Sequence, residues 1–405
     1  MILKIAWKNI WRSKGRSFVV MGSMAVGVWA LIFGVGFMNG FMVSYSADVI
    51  NHDISNFQIH HPEFKQDRAL RFTIPDGQQK ANEIRAWEGV KGVTTRTLVD
   101  GMVASARKAS GVQIRGVEKS NEAIVTGLDS LTKVGAYFQG IRKNPILIGK
   151  KLAESLDVEV KSKVVLTFND SNGNITSAAF RVAGILESSS LNISEGYAFV
   201  LQSDLTRLLG MDDRAIHEIA VLTHQQVDEN LLVNRYTSEY PNDLAETWGE
   251  LAPELAFLQQ AYENMLYILM VIIMLALVFG LVNTMLMAVL ERIRELGMLM
   301  AVGMTKLRVF VMVLIETILL GIAGAPIGML LGWLTIHYFS QSGVDLSAYS
   351  EGLEAYGYDS MLYPYLEEQS YIVITISVFI TAFVGAIYPS WKAVKLRPVE
   401  ALHSI

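Results

Sequence analysis

Four long apolar stretches stand out in the pattern of hydrophobic and polar residues, at residues 18–41, 265–290, 309–336 and 371–391. At a rise of about 1.5 Å per residue, a helix over each stretch is long enough to cross the hydrocarbon core of a bilayer, which is about 30 Å thick. A polar stretch of roughly 220 residues separates the first from the second and is large enough to bury a core of its own. The pattern therefore predicts four membrane-crossing helices and one large domain inserted after the first.

The polar stretch mixes the signals of strands and helices. Alternation of apolar and polar residues predicts strands at 54–60, 112–117, 163–168, 180–185 and 197–201, and helical spacing favours helices at 149–156 and 203–209. From residue 225 the pattern becomes helical, and we expect a stalk that leads back to the second crossing. The sequence thus indicates a membrane α-helical protein with a large α+β domain, which could divide into two lobes.

The distribution of charge predicts the orientation. Basic residues lie before the first stretch, between the second and third, and after the fourth: Lys4, Lys8, Arg12, Lys14 and Arg16; Arg292, Arg294, Lys306 and Arg308; Lys392, Lys395 and Arg397. The loop between the third and fourth stretches has no Lys or Arg but has Asp345, Glu351, Glu354, Asp359, Glu367 and Glu368. Because Lys and Arg are enriched in cytoplasmic loops, both termini are predicted to be cytoplasmic, and the large domain and the acidic loop extracytoplasmic.

These expectations divide the chain into nine parts. They are a cytoplasmic amphipathic segment (1–16), transmembrane helix 1 (17–45), an extracytoplasmic α+β domain with its stalk (46–262), transmembrane helix 2 (263–290), a cytoplasmic elbow (291–306), transmembrane helix 3 (307–338), an extracytoplasmic loop (339–369), transmembrane helix 4 (370–391) and a cytoplasmic tail (392–405). The fourth helix is expected to end at Tyr388-Pro389.

Composition and motifs argue against an enzyme. The chain has no cysteine, which excludes disulfides and thiol chemistry. It contains no Gly-x-x-x-x-Gly-Lys-Ser/Thr phosphate loop, no His-Glu-x-x-His and no Gly-x-Ser-x-Gly. His60 and His61 are adjacent and so do not share one face of a helix or strand, and the other histidines are scattered. We therefore predict no catalytic residue, no metal site and no cofactor in this chain, and no nucleic-acid partner.

The elbow (residues 291–306) is the strongest candidate site. A short helix there places Ile293, Leu296 and Met300 on one face, and the remaining candidate positions are Glu291, Arg292, Arg294, Glu295, Gly297 and Gly303. An amphipathic helix of this size fits a groove on a soluble partner. The alternative is an ordinary charged loop.

Several positions in the apolar stretches predict contacts between helices. Glu316 is the one acid in its stretch, and because an acid in a membrane is costly we expect a polar contact to the elbow or to a partner helix rather than a proton relay. The spacing of Gly324, Gly328 and Gly332 favours close helix packing. Pro326 is expected to kink the same helix. In the first helix, Gly34 and Gly36 favour a contact with a second subunit.

The elbow sequence from Glu291 to Met304 resembles the "ER-x-x-EIG-x-x-x-A-x-G" signature of the FtsX/MacB/LolC-type ABC transporter permeases. The tail from Tyr388 to Leu402 is similar to the closing "YPA-x-x-A-x-x-x-x-P-x-x-AL" of that family, and residues 148–153 and 180–185 match the family's extracytoplasmic domain more weakly. The plan of four crossings with a large domain after the first also fits. The resemblance covers nearly the whole chain.

This resemblance implies a mechanism called mechanotransmission, which defines type VII ABC transporters. Two permeases, alike or related, assemble with two separate ATPase subunits that bind ATP and Mg²⁺. The elbow forms the coupling helix that docks on the ATPase, and its motion is carried to the outside domains without movement of substrate across the bilayer. The resemblance also implies a bacterial inner membrane, a periplasmic large domain and contact with membrane lipids.

Short motifs favour one task within the family. Met38-Asn39-Gly40-Phe41 and Thr247-Trp248 resemble segments of LolC and LolE, which implies lipoprotein release from the inner membrane with a lipoprotein or periplasmic partner. The elbow itself is closer to the MacB type, so peptide or drug export with a periplasmic adaptor stays open. A third reading is FtsX-like regulation of a cell-wall hydrolase.

Overall fold

The computed structural model describes residues 7, 10–12, 14–188, 190–212, 215–224, 227–355, 358 and 360–395. The tail motif beyond residue 395 and most of the first sixteen residues therefore lie outside the described residues. The chain divides into two compact units. The membrane unit comprises Met1–Val43, Gln259–Ala348 and Met361–Ile405, and the inserted domain comprises Ser44–Leu258 and Tyr349–Ser360.

The helices and strands are numbered here in chain order. The helices are α1 (Lys14–Asp48), α2 (Gly77–Arg85), α3 (Lys119–Thr126), α4 (Leu128–Leu131), α5 (Lys150–Leu156), α6 (Gln202–Leu209), α7 (Glu229–Glu239), α8 (Trp248–Leu251), α9 (Pro253–Glu291), α10 (Ile293–Ala301), α11 (Lys306–Ser342), α12 (Ser350–Ala355) and α13 (Glu368–Lys395). The strands are β1 (Phe57–His60), β2 (Val90–Ala104), β3 (Ala109–Val117), β4 (Thr132–Gly135), β5 (Pro145–Gly149), β6 (Lys163–Asn169), β7 (Ile175–Leu186), β8 (Tyr197–Leu201), β9 (Glu218–Thr223), β10 (Leu244–Thr247), β11 (Val344–Asp345) and β12 (Met361–Leu362). Short π-helical turns cover Val49–Ile54 and Asn192–Gly196, and a 3₁₀ turn covers Ser347–Tyr349.

Among the described residues, four helices, α1, α9, α11 and α13, are long and apolar enough to cross a membrane. Helix α13 continues through Pro389 to Lys395, so the predicted helix end at Tyr388-Pro389 is wrong. Proline is tolerated inside such helices because neighbouring groups satisfy the freed backbone carbonyls. Helix α11 is likewise continuous through Pro326.

Helix α11 packs against both α1 and α13 in the membrane unit. Its buried residues include Gly324 and Gly328, which face α1, and Gly321, which faces Ala382 of α13. Helix α9 packs its Leu281 against Gly385 of α13. The apolar core of the unit therefore forms where small residues let helices approach closely.

The inserted domain is an α+β domain, as the alternating pattern predicts, and it has two lobes that share strand β2. In the first lobe, β2, β3, β8, β5, β7 and β6 pair in that order, and β6 pairs back to β2, which closes a six-stranded barrel. Its pairs are antiparallel except β3 with β8 and β5 with β7. The side chains that fill its core include Val103, Ile114, Ile146, Val164, Phe180 and Val200.

The second lobe extends the same sheet beyond β2 in the order β9, β1, β10, with all neighbours antiparallel. Helices α2 and α7 cover one face, where Phe57 and Ile59 of β1 pack with Ile84 and Tyr236. Strand β10 interrupts the helical stalk expected after residue 225, because residues 244–247 pair with β1 before helices α8 and α9 begin.

Candidate functional site

The elbow forms a short helix between two longer ones. Helix α9 ends at Glu291, Arg292 leaves the helical conformation at φ −101° and ψ 19°, and α10 follows as a nine-residue helix. The chain then turns at Gly303, whose φ of +106° favours glycine, before α11 begins after Thr305. The backbone therefore turns sharply on each side of α10.

One face of α10 is buried inside the membrane unit. Leu296 is 5% exposed and packs in a cluster with Val289 at the end of α9, Val309 and Met312 at the start of α11, and Ala393 of α13. Gly297 is also buried, and Met300 packs against the cluster. The apolar face expected to fit a partner's groove thus lies against this chain's own helices.

The other face of α10 is exposed. Met298 is 55% exposed and Val302, one turn later, is 84% exposed, although both are apolar. Arg294 of α10 and Glu291 at the end of α9 are also exposed. Residues four apart lie next to each other on a helix, so Arg294, Met298 and Val302 form one exposed stripe.

An ion pair fixes the elbow to α11. Arg292 Nη1 donates to Glu316 Oε1 at 2.8 Å, and the side chains are only 15% and 9% exposed. The one acid of the third apolar stretch thus contacts the elbow. Because the pair is largely removed from water, its Coulomb attraction is screened less than that of a surface pair.

A second ion pair joins the elbow to the N-terminal part of the chain. Arg12 donates to both carboxylate oxygens of Glu295, with the longer contact at 3.3 Å, and both side chains are well exposed. Together with Arg292, Glu316 and Met285, and with Met298 and Val302, these side chains line a cavity of about 460 Å³ beside the elbow. Sequence reasoning treated Arg12 only as a flanking charge, because nothing local connects residues that are 283 positions apart.

The glycines predicted to pack helices have different surroundings. A Cβ added at Gly324 would lie 2.7 Å from Met21 O, and one at Gly328 would lie 2.4 Å from Ala25 O. At Gly332 the neighbour would be Ile32, also on α1. The three glycines therefore lie against one helix of the same chain.

In α1 itself, Gly36 faces Ile336 of α11, at 2.4 Å from an added Cβ, whereas an added Cβ at Gly34 meets no atom within 4 Å. Of the two glycines expected to contact a second subunit, only Gly34 has open space beside it in the single chain.

The inserted domain holds a buried cluster of charges that sequence reasoning did not find. Arg96 is fully buried and bonds Glu122 at 2.8 Å and Glu218 at 2.5 Å, and His60 lies 3.2 Å from Glu218. Burial alone would lower the pKa of Arg96, but the two carboxylates outweigh burial and raise the pKa. Burial would raise the pKa of Glu218, but Arg96 and His60 hold that pKa well below its usual range. Arg96 and Glu218 therefore stay in their paired, charged forms.

Two known protein-family domains match most of the chain. Residues 17–238 match the MacB-like periplasmic core domain, and residues 267–398 match the FtsX-like permease C-terminal domain. The chain is 25% identical over 409 residues to the lipoprotein-releasing system transmembrane protein LolC of Neisseria meningitidis serogroup B, covering 95% of this chain and 94% of that protein. It is 21% identical over 400 residues to the corresponding LolE protein of Haemophilus influenzae, covering 94% and 92%.

Among solved structures, the periplasmic region of MacB from Actinobacillus actinomycetemcomitans covers 54% of this chain and 98% of that chain at 16% identity. The TM-score of 0.35 is too low to carry an argument. The sequence matches do not depend on it: one family domain spans more than half of the chain and the other spans most of the remainder. The chain therefore belongs to the FtsX/MacB/LolC family of ABC transporter permeases.

Proposed function

We propose that this chain couples ATP hydrolysis by a separate ATPase subunit to work on the outer side of a bacterial inner membrane. The observation that carries the proposal is the two-faced elbow. One face of α10 is built into the membrane unit through Leu296 and Gly297, and the opposite face exposes Met298 and Val302. A helix fixed on one side and exposed on the other suits the transfer of motion from a docked subunit.

The ion pairs of the elbow define how motion would pass into the membrane helices. The Arg292–Glu316 pair connects the elbow to α11, and the Arg12–Glu295 pair connects it to the N-terminal segment. A displacement of α10 by the ATPase therefore acts on α11 directly, since moving the elbow alone would separate a partly desolvated ion pair.

The exposed stripe Arg294–Met298–Val302 gives the chemistry of the docking partner. The stripe is apolar in its centre, and exposed Lys306 and Arg308 follow it in the chain. We propose that it enters an apolar groove with an acidic rim on the ATPase. The ATPase would bind the ATP and Mg²⁺, since this sequence contains no phosphate loop.

The favoured task is release of lipoproteins from the membrane. Two relatives that match almost the full length are named for lipoprotein release. A cleft of about 260 Å³ opens between α1, α9 and α13, with Val35 and Asn39 on one side and Leu266, Tyr267 and Met270 on another. Such a mixed apolar and polar cleft suits an acyl chain with a polar head.

The proposed arrangement has both termini and the elbow in the cytoplasm, the inserted domain in the periplasm and a second permease, alike or related, as partner. Helices α1 and α11 run parallel, because Gly324, Gly328 and Gly332 meet Met21, Ala25 and Ile32 in the same order. This agrees with the arrangement, because two crossings, α1 and α9, precede α11, so that α1 and α11 cross the membrane in the same direction.

The test is purification of the chain from its native membrane, followed by mass spectrometry of the proteins that accompany it. We expect an ATPase and lipoproteins. An adaptor in place of lipoproteins would move the task to export, and a cell-wall hydrolase would move it to regulation. Absence of any ATPase would contradict the coupling function itself.

Substitutions on the exposed stripe test the docking face. Met298→Asp and Val302→Asp should each weaken ATPase binding by about tenfold or more, because a carboxylate would be buried in an apolar groove. Ile175→Asp, which changes an equally exposed apolar residue of the inserted domain, should leave binding unchanged. Unaltered binding in both elbow variants would place the docking face elsewhere.

A further inference from the structure

One face of the sheet in the second lobe is polar although it is buried. Along β1, Phe57 and Ile59 belong to the apolar core, and the alternate residues Gln58 and His60 lie on the opposite face. Glu218 of β9, directly opposite His60, continues that polar face. Buried polar groups need partners, so something polar must lie against this face.

The outer end of α1 supplies these partners. The helix continues as the π-helical turn Val49–Ile54, and its last carbonyls point at the polar face. Gln58 Nε2 donates to Ile54 O at 2.7 Å, and Asp53 O lies 3.5 Å from Nη1 of both Arg96 and Arg115. Cations are favourable at the C-terminus of a helix because they complement the helix dipole. Two arginines of the sheet therefore hold the end of this helix.

The side chain of Asp53 adds a second connection. It is 1% exposed, and its Oδ2 accepts hydrogen bonds from Asn192 Nδ2 at 2.9 Å and Ser190 Oγ at 3.1 Å. Its Oδ1 lies 3.5 Å from Arg115 Nη1 and accepts no hydrogen bond. The carboxylate thus links the helix end to β3 and to the 190–192 segment, but the link to Arg115 is long.

The surroundings give the helix end room to move. Val49 and Asp53 line one side of a cavity of about 440 Å³, and Arg115 and Tyr197 line another. The next residue after the π-helical turn, Ser55, has φ +65° and ψ −178°, a conformation that is strained for any residue except glycine. Strained backbone of this kind persists where the surrounding structure requires it, often at moving parts. Ser55 is therefore the joint between the helix and β1.

We infer that Asp53 and Arg115 are a positioning pair that fixes the outer end of α1 to the sheet and delivers displacement of that helix to strand β3. The inference rests on the proposed coupling function, since it needs a helix that moves. When the helix end advances into the cavity, the 3.5 Å contact shortens to a full ion pair and β3 follows. When the helix end withdraws, the contact lengthens and β3 is released.

Hydrogen exchange of the full chain in lipid nanodiscs, without nucleotide, tests the pair itself. In the wild-type protein we expect the amides of residues 49–56 and of residues 109–117 both to be protected from exchange. In Asp53→Asn the amides of 49–56 should exchange about tenfold faster while 109–117 keeps its protection, and Asp53→Glu should restore the wild-type pattern because it keeps the carboxylate. Asp157→Asn breaks an exposed ion pair of the same domain, with Arg107 at 3.1 Å, and should change neither segment.

A second measurement adds the ATPase that accompanies the chain and a non-hydrolysable ATP analogue. In the wild type both segments should change their exchange, whereas in Asp53→Asn the change should stop at 49–56. A purely structural role for Asp53 would not separate the two responses. If the ATP analogue changes the exchange of 109–117 in Asp53→Asn as much as in the wild type, the inference is overturned.

Different results would contradict the proposed coupling function and the positioning pair. If no ATPase binds the wild-type chain, the proposed coupling function is lost. The measurement without nucleotide still decides whether Asp53 holds the helix end, and equal exchange in Asp53→Asn and the wild type would reject the positioning pair even if the ATPase binds.

Discussion

At the scale of single residues, charged groups are paired away from water in both units, for example as the Arg292–Glu316 pair of the membrane unit and the Arg96 cluster of the inserted domain. Neither could be derived fully from the sequence. Glu316 is conspicuous because it is an acid in an apolar stretch, but Arg96, Glu122 and Glu218 lie in ordinary polar sequence and meet only when β2, α3 and β9 pack together. The local sequence pattern reveals the periodicity of a helix or strand, but it does not reveal which distant residues will pair.

Breaking the elbow pair from one side should destabilise the membrane unit. Arg292→Gln removes the cation beside the largely buried Glu316, and we expect a loss of about 3 kcal/mol of unfolding free energy. The double variant Arg292→Gln with Glu316→Gln should recover part of that loss, because no charge is then left without its counterion. Thermal unfolding in detergent measures both.

The exposed pair gives the matched control. Arg12→Gln breaks the contact between Arg12 and Glu295, whose side chains are 68% and 43% exposed, respectively. We expect this change to lower the unfolding free energy by less than about 1 kcal/mol. A loss as large as that of Arg292→Gln would show that burial does not determine the strength of these pairs.

His217 should make the inserted domain sensitive to mild acid. Burial lowers the pKa of His217 in the folded chain. Its Nδ1 accepts from Leu98 N and its Nε2 faces Leu70 O, each at 3.1 Å, an arrangement that suits the neutral ring. Below pH of about 6.5 the unfolded imidazole takes up a proton that the folded one does not, so unfolding free energy should fall as pH drops through that value.

Unfolding of the full chain between pH 7.5 and 5.5 measures this dependence, and replacement of His217 by Asn should reduce it. Nitrogen-15 NMR of labelled histidines should show His217 taking up its proton at a lower pH than a free imidazole does. Protonation of His217 at its ordinary pKa would contradict the prediction. The lowered pKa of Glu218 acts in a different range, below about pH 4.5.

At the scale of elements, the spacing of glycines predicts which face of a helix packs closely, but it does not predict which helix covers that face. Gly324, Gly328 and Gly332 lie on one face of α11 by spacing alone, and the structure adds that α1 covers that face. The predicted strands at 112–117, 163–168, 180–185 and 197–201 all lie within strands of the domain. Strand β10 was not predicted, because four residues between two helical patterns give too little periodicity.

Gly328 and Gly34 form a matched pair of substitution sites. Gly328→Val should destabilise the membrane unit by about 1–3 kcal/mol, because an added Cβ would lie 2.4 Å from the backbone oxygen of Ala25. Gly34→Val should leave the unfolding of the single chain unchanged, since no atom lies within 4 Å of an added Cβ. Thermal unfolding in detergent separates the two.

Size-exclusion chromatography of the same variants tests the assembly. If α1 contacts a second permease at Gly34, Gly34→Val should lower the dimer fraction without lowering thermal stability. An intact dimer would remove Gly34 from the subunit interface.

At the scale of the whole molecule, the number of crossings and the position of the inserted domain follow from the sequence, because apolar length and polar length are properties of continuous segments. The closure of the barrel does not follow, since it depends on β6 pairing with both β2 and β7. The orientation in the membrane is predicted from charge and stays a prediction.

Because the chain has no cysteine, single cysteines report orientation without background. A cysteine at Asn172, in an exposed hairpin of the inserted domain, should react with a membrane-impermeant maleimide in intact spheroplasts. A cysteine at Thr305, in the exposed turn after α10, should react only after the membrane is opened. The reverse labelling pattern would invert the proposed topology.

The pairing of β1 with β10 has a consequence for how such chains diversify. These strands are antiparallel neighbours from Phe57 with Thr247 to His60 with Leu244, so the inserted domain starts and finishes side by side at one edge of its sheet. A module with adjacent ends can be enlarged, trimmed or exchanged for another by recombination while the segments that flank it keep their spacing. Evolution can thus exchange the inserted domain and keep the membrane unit unchanged.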